Sequence, residues 1–339
     1  MCCIALLTAA VLAVAAPQDP DTPTVVDAGA LRLEIHLSRT AHLFHIVDQI
    51  SLWSEYCHSQ YRTAFVDAQG ALRADDQAML DQHKLVRKQR EWGRGLEQAF
   101  YTPLDLDAAL TKAEAAGQLT AEQARIEREV FGHFAARIDK LLADDRPRLL
   151  QFSARIQQQQ DHLQEFAAKV SRFCGGARVT VPTFLIANPA DRDFGGGFNG
   201  GRLTLEIPRQ YDAMPSLLHE VMHAFITPHE EELTKAVAGV PRLDYQTINE
   251  GIAYALAPGI YQPTTSTDPL AADVARDLAA GSRLEGLVRF RQYGLALRPL
   301  LRTALADEHA TLQDFVPRAI DAWRVLTELD AARQMKAKH

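Results

Sequence analysis

The pentapeptide His219-Glu220-Val221-Met222-His223 constrains this chain more than any other stretch. It lies within Asp212 to Pro228, a segment that reads as a helix. Pro215 suits a first turn, Leu217, Leu218, Val221, Met222 and Phe225 supply an apolar surface, and Pro228 ends it. Side chains four apart on a helix lie one above the other, so His219 and His223 can offer two imidazole nitrogens to one ion. Glu220 lies beside that pair, where a carboxylate can take a proton from a metal-activated water. The plain alternative is two histidines on a polar helix face next to an ordinary acid.

A tetrahedral catalytic zinc takes three protein ligands and keeps one position open. The downstream stretch Thr247-Ile248-Asn249-Glu250-Gly251-Ile252-Ala253-Tyr254 offers Glu250 as the third, at the opening of a second helix. Thr247-x-x-Glu250 is also the pattern of a capping box, in which the carboxylate would turn back to the helix N-terminus. The two roles compete for one side chain.

His219-Glu220-x-x-His223 followed by Asn249-Glu250-Gly251-x-Ala253 resembles the gluzincin metallopeptidases, the second motif being closest to their aminopeptidase branch. The resemblance covers residues 212–258. It implies zinc on His219, His223 and Glu250, Glu220 as general base, and a thermolysin-like α+β core. In one respect the chain departs from the pattern: 26 residues separate His223 from Glu250, a longer gap than the clan usually has. That insert carries His229, Glu230, Glu231, Glu232 and Asp244, so a different third ligand stays open. Amide hydrolysis also benefits from a donor to the developing oxyanion. Candidates are His229, Tyr254 and Tyr293, and the resemblance favours Tyr293, because the aminopeptidase branch uses a tyrosine well after its third ligand.

Residues 1–16 form an apolar run too short to span a bilayer comfortably, with Ala13-Val14-Ala15 as a small-residue cleavage pattern. They read as a signal peptide despite lacking Lys or Arg, and 17–30, rich in Pro, Asp and Thr, as an exposed linker. The expected location is therefore extracytoplasmic, periplasmic or secreted, with no stable membrane insertion after cleavage. A formal net charge of −7 gives no electrostatic reason to expect nucleic acid. The basic run Lys84 to Arg94 reads as a solvated helix face. Cys57 and Cys174 could pair outside the cytoplasm or remain buried thiols.

From 31 to 175 the pattern is helical, after a short extended piece at Leu31–Ile35. Apolar residues recur at three and four, as in Leu43, Ile46, Val47 and Ile50, and again in Ile126, Val130, Phe134 and Ile138. Thr120-Ala121-Glu122-Gln123 marks one helix start, and Asp144 to Pro147 a break before a further helix to about Phe173. His42 and His45 lack an acid at a convincing offset and read as core or surface residues rather than a second metal site. Val179–Ala187 reads as a strand, with Pro182 suggesting an edge or bulge, and Asn199-Gly200 as a hairpin turn before a strand through Ile207. Gly195 to Gly197 would let a peptide approach the main chain closely, or form a flexible turn.

The expectation is a mainly α protein with a small β-sheet (α+β): a zincin-like core at 176–265 between helical regions at 31–175 and 266–339. It would be a Zn2+-dependent peptidase acting on peptide or protein substrates. A zinc-binding but non-catalytic protein, and a helical extracytoplasmic binding protein with an accidental motif, are the alternatives.

Overall fold

The computed structural model describes residues 22–54, 57–88, 96–188, 195–209, 212–261 and 268–336. Residues 1–16, the expected leader, lie outside them. A five-stranded mixed sheet is embedded in helices, the mainly α, α+β class expected.

The chain enters through a hairpin. Strand β1 (Thr24–Ala28) turns at Gly29, φ 68°, into β2 (Leu31–His36), which runs antiparallel to it. The expected linker at 17–30 is thus corrected: its second half is a sheet strand. Its consecutive β-branched pair, Val25 and Val26, suits an extended backbone, and Val26 and Ala28 face the core.

The chain then leaves the sheet to build a helical unit. It comprises α1 (Arg39–Ser51), α2 (Ser59–Gln69), α3 (Ala74–Arg87), α4 (Leu96–Phe100), α5 (Leu106–Ala115) and the first half of α6 (Ala121–Gln158). Helix α7 (Gln160–Phe173) follows. Thr120 and Gln123 form the expected capping box, at 3.2 Å and 3.0 Å. The expected break at Asp144–Pro147 does not occur; α6 runs on for 38 residues. Pro147 removes one hydrogen-bond donor, but burial on both sides of it holds the helix together. Val130, Phe134 and Ile138 lie in the core of the helical unit, and Leu149, Phe152 and Ile156 in the core beneath the sheet. The chain bends instead at Gln159, inside the glutamine tract.

Strands β3 (Val179–Ala187), β4 (Gly196–Asn199) and β5 (Arg202–Ile207) complete the sheet in the order β1-β2-β3-β5-β4. Then come α8 (Met214–Ile226), α9 (Glu230–Val237), α10 (Tyr245–Tyr254), α11 (Pro269–Ala279), α12 (Gly286–Ala306) and α13 (Leu312–Lys336). Strand β3 is central, parallel to both β2 and β5, so Pro182 does not mark an edge. The Val179 amide donates to Ala30 on the β2 side, so by alternation the Pro182 nitrogen faces β5, whose pairing begins only at Thr183. No ladder bond is lost. The β4–β5 turn is as expected, with Gly200 and Gly201 at φ 59° and 78° joining Asn199 to its partner Arg202.

One face of the sheet presents Leu33, Ile35, Val181, Leu185, Leu203 and Leu205 to a core shared with α7, α8, α10, α12 and α13. Full burial of each such side chain is worth about 1.5–3 kcal/mol. The other face receives α1, through Ala41 against Phe184 and Ile186. His42 and His45 are anchors here. His42 donates from Nδ1 to Ser38 O (3.0 Å) and accepts at Nε2 from the Ala187 amide (2.8 Å). That arrangement needs a neutral ring, and burial lowers its pKa to about 4. His45 bonds the Tyr101 hydroxyl and the Glu206 carboxylate. Cys57 and Cys174 are free thiols, pushed up to about 11 and about 12 by burial.

Candidate metal centre

Helix α8 starts at Met214 with Pro215 in its first turn, and it is buried along most of its length. His219, Glu220 and His223 are only 9, 8 and 7 % exposed. Helix α10 crosses nearby. Its N-cap is Asp244, whose Oδ1 accepts from the Thr247 amide at 2.7 Å and also from the Thr247 hydroxyl. The capping competition is thereby resolved: Asp244 serves the helix end, and Glu250, a turn and a half further on, is released. Its Oε2 lies 3.4 Å from His219 Nε2 and 3.9 Å from His223 Nε2. The three donor atoms all lie within 4.8 Å of one another. Adjacent ligands of a tetrahedral zinc sit about 3.3 Å apart, so a small contraction would close the set on the ion.

The far sides of the imidazoles decide the chemistry. His219 donates from Nδ1 to the Ala257 carbonyl (3.1 Å), and His223 from Nδ1 to Asn249 Oδ1 (2.9 Å). Each ring is thus held in the orientation that turns Nε2 toward Glu250, the outer-shell arrangement typical of metal-ligating histidines. The Ala257 carbonyl is free for this because residues 257 and 258 leave helical φ/ψ at Pro258. Burial alone would lower the pKa of His219, but the Glu250 and Glu220 carboxylates outweigh it and lift it to about 9. A metal ion at this position would compete with a proton for His219.

Glu220 lies against the sheet edge. A Cβ on Gly196 would come within 2.8 Å of Glu220 Cγ and 2.9 Å of Thr204 O, so only glycine fits there. The Phe198 backbone amide donates to the Glu220 carboxylate, while burial, the largest influence, raises its pKa. The glycines expected to admit a peptide or form a turn thus have an internal reason as well.

The insert between His223 and α10 brings no ligand to this cluster. His229 donates from Nε2 to Cys174 O at 2.8 Å, and Glu230, Glu231 and Glu232 are exposed on α9. Tyr293 requires a correction. It is fully buried on α12, its hydroxyl donates to Ala319 O at 2.8 Å, and its ring supports Gly251 from behind. Spacing along the chain did not reveal that α12 buries Tyr293 between Gly251 and Ala319. Tyr254 is the tyrosine at the site: its ring meets that of His219 edge-to-face, centroids 4.7 Å apart. Burial and the neighbouring Glu250 charge raise its hydroxyl pKa. Sequence reasoning missed Asn249 as an orienting group, although it stands in the quoted motif, and the Ala257 carbonyl, which carries no side-chain signal.

Among the described residues one other group has metal-like spacing, Asp75, Asp76 and His133. Asp76 is already engaged by Arg137, by His133 (2.6 Å) and by the Arg73 amide (2.8 Å), which marks a structural ion-pair network. No protein-family model matches the chain, and neither the curated proteins nor the solved structures contain a match.

Proposed function

We propose that this chain is a zinc-dependent metallopeptidase of gluzincin type. The observation that carries the reading is the convergence of His219 Nε2, His223 Nε2 and Glu250 Oε2, with each Nδ1 tied to its own acceptor. These three residues would hold the metal. Bound zinc brings the pKa of a coordinated water toward ~7 and polarises a carbonyl.

The rest is the work of the chain. Glu220, held by the Phe198 amide in a dry setting, accepts the proton of the attacking water and returns it to the leaving amine. Tyr254 takes the place expected of Tyr293 and donates to the developing oxyanion. Strand β4 is a sheet edge, and Gly195 O accepts from Glu206 N, so the backbone groups of Gly196 and Phe198 point outward. Phe198 N–H serves Glu220, which leaves Gly196 to pair with an extended peptide substrate. Net charge −7 supports a peptide rather than a nucleic-acid substrate. The extracytoplasmic location rests on residues 1–16 alone; among the described residues no helix is long and apolar enough to cross a membrane.

The test is zinc content by elemental analysis together with hydrolysis of a quenched-fluorophore peptide library. Wild type should hold one zinc, His223→Ala and Glu250→Ala should lose it, and Glu220→Gln should keep it while activity falls about 10³-fold. Folded wild type that takes up no zinc when metal is supplied would overturn the reading. Zinc bound with no peptide cleaved would make this a binding protein.

A further inference from the structure

The outer face of the sheet, opposite α8, carries a second site. A groove of about 570 Å³ lies between strands β2, β3 and β5 and the α4–α5 region, within the size range of small-molecule sites. Its unusual member is Arg202. This arginine is only 7 % exposed, yet its Nε is buried with no hydrogen-bond partner, and among the described residues no carboxylate forms an ion pair with it. It packs over the Tyr101 ring, with Cζ 5.2 Å from the centroid. Glu97, the carboxylate whose charge acts on Arg202, is committed to Arg87 at 2.5 Å, and the acid lining the groove, Glu34, is bonded to Arg32 at 3.1 Å. A buried guanidinium nitrogen without an acceptor costs free energy, and a charge so poorly compensated favours an anion beside it.

The rest of the groove suits the body of such an anion. His36 stacks on Phe184 with centroids 4.9 Å apart and planes at 15°, and Tyr101 tilts against Phe184 at 6.0 Å. His36 and Phe184 make a flat stacked pair on one wall, with Tyr101 inclined to it at 56°. The Gln98 carboxamide lies beside Arg202 at the Gly200 turn, and Lys112 adds a cation at the exposed lip.

We infer that this groove binds a small aromatic carboxylate, its carboxylate on Arg202 and its ring against Phe184 and His36. The bidentate fit of guanidinium to carboxylate supplies direction, and the stacked wall supplies selectivity for a flat body. The site is separated from the metal centre by the sheet and does not depend on the metallopeptidase reading.

Thermal-shift and calorimetric titration of the full chain with N-acetyl-L-phenylalanine, its neutral amide and inorganic phosphate would test this. The carboxylate should raise Tm by about 2 °C or more at saturating concentration, and the amide and phosphate should not. Arg202→Met should weaken binding about tenfold or more while leaving Tm of the free protein unchanged or higher, since it removes an unpaired buried charge. Ala116→Trp, which narrows the groove from its exposed lip, should weaken binding without touching the core. Equal binding of the amide would overturn the role of Arg202, and equal binding of phosphate would overturn that of the aromatic wall. Absence of any shift with the carboxylate would overturn the site.

Discussion

Gly251→Ala tests whether the seat of α10 sets the position of Glu250. A Cβ at residue 251 would lie 2.4 Å from Tyr293 Cδ1 and 2.9 Å from Cε1, where ordinary contact begins near 3.4 Å. The ring cannot yield: its hydroxyl is bonded to Ala319 O, and Trp323 meets it edge-to-face at 5.1 Å. Helix α10 must therefore retreat by about 1 Å, the shortfall in that contact. Overpacking of this kind costs about 1–3 kcal/mol, and alanine returns about 1 kcal/mol of helix propensity, so the net destabilisation is about 0–2 kcal/mol. The larger effect falls on the metal. Glu250 precedes the substituted residue directly, and a 1 Å displacement of one ligand should weaken zinc binding about tenfold or more. Competition against a chromophoric chelator measures this, and urea unfolding of the chelated protein measures stability. Adding Tyr293→Leu should restore part of the zinc affinity, giving a coupling of about 1 kcal/mol or more in the double-mutant cycle. Gly251→Ala with zinc affinity within about twofold of wild type, and no loss of stability, would refute the reasoning.

Three further outcomes are expected. Asn249→Ala should cost about 10–100-fold in zinc affinity, measured by the same competition, because His223 loses the acceptor that orients it; an unchanged affinity would remove Asn249 from the site. Tyr254→Phe should lower kcat about 10²-fold at unchanged zinc content and KM, and an unaltered kcat would leave the oxyanion to another donor. The third concerns pH. Burial alone would depress the pKa of His83, but Glu127 at 2.7 Å and Asp48 at 3.1 Å lift it from 6.5 to about 9. A histidine raised on folding contributes stability that is complete below pH 6.5 and lost as pH rises through about 9. Urea unfolding should thus show a loss on the order of 3 kcal/mol from His83 across that window, with His219 adding its own in the metal-free protein, and His83→Gln should make the profile shallower by the His83 share; an equally steep profile in the variant would assign the slope elsewhere.

What could be read from the sequence was what acts over a few residues. The spacing of His219 and His223, the Thr120–Gln123 box and the Asn199-Gly200 turn each follow from local geometry, and each takes the expected conformation. Misread features were those decided by partners far along the chain. Pro147 stays helical because two separate cores grip α6, and Pro182 sits in a central strand because its nitrogen faces a gap. Tyr293 is buried by the packing of α12 on α10. The choice between capping and ligation at Glu250 was open in the sequence because Asp244, three residues before Thr247, and Thr247 itself both have side chains able to cap the same helix. Arg202 gave no sign at all; a lone arginine in an alternating strand reads as a solvated residue until a wall is built over it.

Helix α6 has a consequence for how the molecule comes apart. At about 1.5 Å per residue its 38 residues make a rod nearly 57 Å long, one end in each hydrophobic core. Neither core can melt and leave the other intact, since half of a continuous helix would then hang in water without its packing face. Heat should meet a single cooperative unit, and excising residues 31–175 would yield a fragment with an open seam along Leu149, Phe152 and Ile156. The rod is a shared beam rather than a boundary between two rooms.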